Sequence, residues 1–285
     1  MLLTIGDLLE ELLVRLRTPP RRGVDTMVKT ARVRGGSAAN VAAIDAETGG
    51  TPRFVGQVGD DVLGHVLADD LRNRGVDVRV DHVGGTGVVV TTVGQGARTR
   101  LVDRGASRGP AQLDPLVLDG ASQLYVAARV FTEDPLASAL DRLLADVRDR
   151  RVPLTLGGPT AADLELLGAA PFLELVETAT PETVVLHRTE HHALGLDDAQ
   201  PILGAATTVV TNGAEPTVVI DGAGTAVAIE VPPVDRIRDR TGVGDGFVAG
   251  YLASRRTGAD ALSATHAGHR VAARVLQHLG PTTTG

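Results

Sequence analysis

The segment Asp239 to Ala253 reads DRTGVGDGFVAGYLA and sets a carboxylate directly behind a glycine turn. Past Asp245, the apolar Phe247, Val248, Tyr251 and Leu252 recur at helical spacing, so Gly242 to Gly244 are expected to open a helix. A helix start presents unpaired N–H groups and the positive end of the macrodipole, a setting for a phosphate or a developing anion. A carboxylate beside that site can take the proton from a hydroxyl as it attacks a phosphoryl group. The same residues also suit a plain turn with Asp245 as a helix cap, and this segment alone does not separate the two.

Three other groups could supply polar contacts. Gly6-Asp7 follows the short apolar run Leu2 to Ile5, with Glu10 and Glu11 just beyond, and carboxylates at a strand end can accept from the hydroxyls of a polyol. In RGGSAANVA, Gly35 and Gly36 allow close backbone approach, Asn40 offers both a donor and an acceptor, and Ser37 is expected to cap the following helix. In GQVGDDVLG, Asp60 and Asp61 are read as complements to a helix dipole.

The elements that must position these groups alternate. Apolar runs rich in β-branched residues interleave with amphipathic segments, which points to an α/β fold with a largely parallel sheet. Strands are expected at Leu2 to Ile5, Arg53 to Val58, Val152 to Leu156, Thr183 to Leu186, Thr207 to Val210 and Thr217 to Ile220. Helices are expected from Ser37 to the Gly49-Gly50 pair, over Val62 to Arg74, behind Asp134-Pro135, and over Ala259 to Leu279, with a frayed PTTTG tail. Residues 8–34 and 83–102 contain strand-like runs such as VVVTTV but no helix, and are expected to form a small separate sheet. No internal repeat or linker divides residues 1–285.

Bulk properties remove several function classes. At 43% apolar and 22% charged content, 285 residues can build a sizeable aliphatic core, with Trp absent and only four Phe and two Tyr. A net charge of −7 and few aromatics leave no footprint for nucleic acid. Cysteine is absent, which excludes disulfides and thiolate chemistry and suits a reducing compartment. The opening MLLTIGD is too short for a signal peptide and no apolar run spans a membrane, so a cytoplasmic location is expected. Lys29 is the only lysine, and no GxxxxGK[ST] surrounds it. No GxGxxG follows the first strand, which disfavours a dinucleotide-binding oxidoreductase.

Several motifs in order carry a resemblance over nearly the whole chain: an opening G-D strand, GGSAAN, VGDD followed by Gly64, GART and DRGAS, VTNGAEPTVVIDG, and DRTGVGDGF. Together they resemble the PfkB, or ribokinase-like, family of carbohydrate and nucleoside kinases, whose signature is D-T-x-G-A-G-D. The resemblance implies a three-layer α/β/α sandwich with a mostly parallel central sheet and a small β-lid formed by the two irregular regions. It implies ATP-dependent phosphorylation of a hydroxymethyl group on a sugar, sugar acid or nucleoside. Asp245 would be the base, and Gly242, Val243 and Gly244 the anion hole. Asp7, Gly35, Gly36 and Asn40 would contact the acceptor. Thr211, Asn212 and Gly213, with Thr241, would line the ATP site, the adenine lying near the final helix. Glu190 would support Mg²⁺.

Departures from the pattern leave alternatives open. Arg240 and Val243 stand where Thr and Ala are usual; since the family often holds a monovalent cation beside this loop, weak K⁺ activation is expected here. The run His187-Arg188-Thr189-Glu190 replaces N-x-x-E, and LTLGGPTAAD lacks the acidic member of a D-x-N motif at Gly157-Gly158. A sugar- or nucleotide-binding protein with weak or lost catalysis, or a nucleoside kinase, therefore stays in view. Within VVVTTV, Val88, Val90 and Thr92 alternate with Val89, Thr91 and Val93, and both faces of the lid look too apolar for exposure. A homodimer through the lids is expected.

Overall fold

The computed structural model describes residues 1–94 and 97–284; Gln95, Gly96 of the GART run and Gly285 of the tail lie outside them. In chain order, β1 (Leu2–Ile5) starts the body, and β2 (Leu9–Leu16) and β3 (Val28–Gly35) leave it. Then α1 (Ser37–Glu47), β4 (Arg53–Val58), α2 (Val62–Asn73) and β5 (Asp77–His82) return to it. A second excursion, β6 (Thr86–Gly94) and β7 (Ala97–Gly105), precedes β8 (Gln123–Ala127), α3 (Leu136–Asp149) and β9 (Leu154–Gly157). After α4 (Ala161–Leu167) and α5 (Ala169–Ala179) come β10 (Thr183–His187), α6 (Arg188–Ala193), β11 (Thr207–Asn212), β12 (Glu215–Asp221) and β13 (Ala226–Ile229). The chain closes with α7 (Val243–Arg256) and α8 (Ala261–Val275).

The strands make two sheets. A nine-stranded sheet runs β13-β12-β11-β10-β9-β8-β1-β4-β5, and a four-stranded one runs β3-β2-β6-β7. In the large sheet β5 through β11 are parallel, and only β12 and β13 run antiparallel. Its central strands β1, β8, β9 and β10 are buried on both faces, which is why they read as apolar runs, while the edge strands β5 and β13 are partly exposed. Leu3, Ile5, Leu124, Val126 and Leu156 pack against α3 and α5 on one face. Leu2, Tyr125, Val185 and Val209 pack against Phe247, Tyr251 and Val271 of α7 and α8 on the other. Chain order thus alternates strand with crossover helix, the layered architecture expected from the sequence.

The small sheet is the β-lid. Its register sets Glu11 beside Val89, and Val89 beside Val102, so residues of like parity share a face. One expectation is corrected in part: Val89 and Thr91 are fully buried, so the chain itself covers the middle of that face, while Val93 and Val102 on it stay exposed. The outer face, with Leu101 62% exposed, remains open.

Two local expectations are also corrected. Ser37 does not cap α1; Gly36 does, at φ 98°, and a Cβ there would lie 2.1 Å from the Asp7 carbonyl oxygen. The tail is docked rather than frayed. Thr283 donates from its backbone N–H and from Oγ1 to Glu47, at 2.6 and 2.9 Å, and the Pro281 carbonyl accepts from Arg34 at 2.8 Å. Asp61 keeps the modest role read for it: it caps α2 through Gly64, and its carboxylate also accepts from Thr86 of the lid.

Candidate active site

A cavity of about 490 Å³ opens between the lid and the carboxyl ends of the parallel strands. That is where open α/β sheets bind ligands, because the loops leaving neighbouring strands diverge there. Among the residues singled out from sequence, the cavity wall includes Asp7, Gly36, Asn40, Glu190, Thr211, Gly213, Thr241, Gly242, Val243, Gly244 and Asp245. Gly35 and Asn212 fall just outside it. Gly35 ends β3 under Leu9, where a Cβ would meet Leu9 Cδ1 at 2.5 Å. Asn212 pairs with Glu215 across the Gly213-Ala214 turn.

Asp245 sits in the first turn of α7, and both of its oxygens are held from α1. Ser37 Oγ donates to Oδ1 at 2.6 Å and Asn40 Nδ2 donates to Oδ2 at 2.8 Å. A carboxylate offers about four acceptor positions, so this clamp fixes the group and leaves capacity for one more hydroxyl. Burial pushes its pKa above the usual aspartate value, and the two donated bonds oppose that shift. Gly242 enters the helix at φ 78°, and Pro281 of the docked tail lies 2.3 Å from where its Cβ would be. At Gly244, by contrast, a Cβ would meet nothing within 4 Å, so the unpaired N–H end of α7 faces open space.

Three contributors were not singled out in the sequence. Tyr125 of β8 shares a hydrogen bond of 2.9 Å with Ser37 Oγ, and burial raises its pKa. Arg34, almost fully buried, donates from Nε to Asn40 Oδ1 at 3.2 Å and from a terminal nitrogen to Asp70 at 2.8 Å. A line from Asp70 through Arg34 and Asn40 therefore ends on Asp245. The third is a set of arginines: Arg98, Arg100 and Arg104 of the lid, and Arg129 after β8, all line the cavity. Asp7 Oδ2 accepts from both Arg104, at 3.0 Å, and Arg129. Tyr125 lay in a readable apolar run, QLYVAARV, but nothing local tied it to Ser37.

The two departures in the nucleotide half are built into the structure. His187 is the N-cap of α6: its Nδ1 accepts from the Thr189 backbone N–H at 3.2 Å, while its own N–H donates to Glu190 Oε2 at 2.8 Å. Burial holds the His187 pKa below the usual value, which favours the neutral ring that this accepted bond requires. At Gly157 a Cβ would lie 2.5 Å from the Tyr125 hydroxyl, so the tyrosine occupies the space that a side chain there would take. Glu190 is pushed up to about 7, first by burial and then by the Asp163 carboxylate, which also lines the cavity. Glu190 and Asp163, both on the cavity wall, could give a Mg²⁺ two carboxylate oxygens, the remaining ligands coming from phosphate and water. Among the described residues no group of three or more His, Cys, Asp or Glu could hold a metal unaided.

The end of the cavity beside the β11–β12 hairpin is apolar. Val231, Pro232 and Val234 face Ala272, Ala273 and Leu276, with Thr211 and Gly213 at the hairpin beside them.

A family model described as pfkB family carbohydrate kinase matches residues 5–284. A probable fructokinase of Arabidopsis thaliana is 28% identical over 253 residues, covering 77% of this chain and 69% of its own. Adenosine kinase of Saccharomyces cerevisiae is 27% identical over 289 residues, covering 90% of this chain and 81% of its own. A crystal structure of a probable sugar kinase protein from Rhizobium etli superposes at a TM-score of 0.88 with 21% identity, covering 100% of this chain and 95% of the other.

Proposed function

This chain belongs to the pfkB family of carbohydrate kinases, and we propose that it transfers the γ-phosphoryl group of ATP to a hydroxymethyl group of a sugar-like acceptor with Asp245 as general base. The observation that carries this is the clamped Asp245 carboxylate in the first turn of α7, beside open backbone N–H groups, in a cavity walled by the lid. Phosphoryl transfer needs positioning and charge stabilisation more than covalent help from the protein, and the site is organised for both. The acceptor oxygen forms its bond to the γ-phosphorus as its proton passes to Asp245, and the bond to the bridging oxygen breaks, leaving ADP. Ser37 and Asn40 keep the base aimed. The Gly242, Val243 and Gly244 backbone sits at the positive end of α7, where charge on the transferring group is stabilised. Asp7, Gly36 and Asn40 orient the acceptor, and Gly35 supports Gly36 from beneath Leu9. Thr211, Asn212, Gly213 and Thr241 flank the nucleotide, whose base lies between the Val231 to Val234 segment and α8.

Mg²⁺ held near Glu190 and Asp163 would neutralise phosphate charge. Weak activation by a monovalent cation, with Arg240 at its loop, belongs to the same proposal, as do a cytoplasmic location and a homodimer formed through the lid. The binding-only reading loses its main support, because His187 serves as a helix cap and Tyr125 fills the room at Gly157.

The test is ADP release measured against pentoses, hexoses, sugar acids and nucleosides. Acceptor-dependent release with at least one class is expected. Nucleotide binding without acceptor-dependent release would favour the binding-only reading.

A further inference from the structure

The lid strand β7 alternates in a way that its edge position does not explain. Arg98, Arg100, Val102 and Arg104 line the cavity, while Thr99, Leu101 and Asp103 fall on the opposite face. Arginines placed only to keep an edge strand from pairing would have no reason to share the face turned toward the site. Arg129 joins them from the far wall. Three of the four have carboxylates: Arg98 donates to Glu11 at 3.0 Å, and Arg104 and Arg129 converge on Asp7. Arg100, exposed and opposite Thr91 in the register, has no carboxylate within 4.0 Å among the described residues. Of the other acidic groups, Asp245 accepts from Ser37 and Asn40, Glu190 from the His187 backbone N–H and Asp163 from Thr160, while Glu133 pairs with Arg104 and Arg108. Glu11 also accepts from Thr91 Oγ1 at 2.5 Å.

Arg100 is therefore the guanidinium of these four on the cavity wall that has no carboxylate partner among the described residues. A neutral polyol gains little from such a charge, whereas a carboxylate or a phosphate matches the planar fork of donors. We propose that the acceptor carries an anionic group, a carboxylate or a phosphate, received by Arg100 with Arg98 beside it, while Asp7 accepts from its hydroxyls. The proposal rests on the kinase reading for the word acceptor, but the anion preference itself can be measured without turnover.

The test compares D-fructose, D-gluconate, D-fructose 1-phosphate and adenosine on the wild type, Arg100→Ala and Arg100→Lys. It measures binding by calorimetry and turnover by ADP release. Charge-assisted bonds of this kind make an anion-bearing probe bind roughly tenfold to hundredfold more tightly than its neutral counterpart. That margin is lost in Arg100→Ala and only partly kept in Arg100→Lys, which keeps the charge but not the fork, with the KM for ATP unchanged in both. A margin for gluconate alone identifies a carboxylate as the source, and one for fructose 1-phosphate alone identifies a phosphate. Anion-selective binding without turnover would sink the kinase reading and keep this inference. Tighter binding of fructose or adenosine than of either anion, or equal binding in Arg100→Ala, would overturn it. A rise in KM for ATP in place of the acceptor effect would also overturn it, because Arg100 would then serve the nucleotide.

Discussion

At the scale of single residues, the site depends on how Asp245 is held. Its carboxyl lies above the ordinary aspartate range because burial disfavours the charge, and the bonds from Ser37 and Asn40 favour it. Removing either donor leaves burial less opposed, so the pKa rises further. The acid limb of kcat/KM should therefore move to higher pH in Ser37→Ala and Asn40→Ala, read from pH–rate profiles of each variant. A limb that stays in place, or moves to lower pH, contradicts the clamp. Asp245 and its glycine turn were legible because they sit in one contiguous run, where spacing alone marks a helix start. Ser37 was misread as a cap, and Tyr125 and Arg34 were not singled out. Their roles arise from contacts 208, 88 and 6 residues apart in the chain, and only the last of these is local.

At the scale of elements, α7 is set by a wedge from the C-terminal tail. Gly242 needs a positive φ, and Pro281 fills the space where any Cβ would project. Gly242→Ala should lower stability by roughly 1–3 kcal/mol through backbone strain, with a further steric part from Pro281. Combined with Pro281→Gly, the steric part should be recovered and the backbone part should remain, both read as urea midpoints. If the double variant shows no recovery, the tail does not press on the turn. Periodicity marked α3 and most parallel strands well, since buried strands leave plain apolar runs. It overextended the last helix, expected over 259–279, where α8 spans Ala261–Val275. It also gave the tail nothing to dock on, because Glu47 and Arg34, which hold it, lie more than 230 residues away.

At the scale of the whole molecule, two sheets divide the work. The parallel sheet brings Asp7, Glu190 and Thr211 to one edge at its carboxyl ends, and the lid sheet brings arginines over them. The fold class and the lid were legible from motif order and from the two helix-free stretches. Which lid face turns inward was not, because VVVTTV is nearly as apolar on one side as on the other; the burial of Val89 and Thr91 decides it. All these elements converge on Asp245, so the most direct measurement is acceptor-dependent ADP release by Asp245→Asn, with nucleotide affinity measured in parallel. Asn keeps the shape but can accept only one of the two clamp bonds, from Ser37 or from Asn40, and it cannot take the proton. Turnover should fall by about 10² to 10⁴ with nucleotide affinity nearly unchanged, whereas near-normal kcat would remove Asp245 from the role of base.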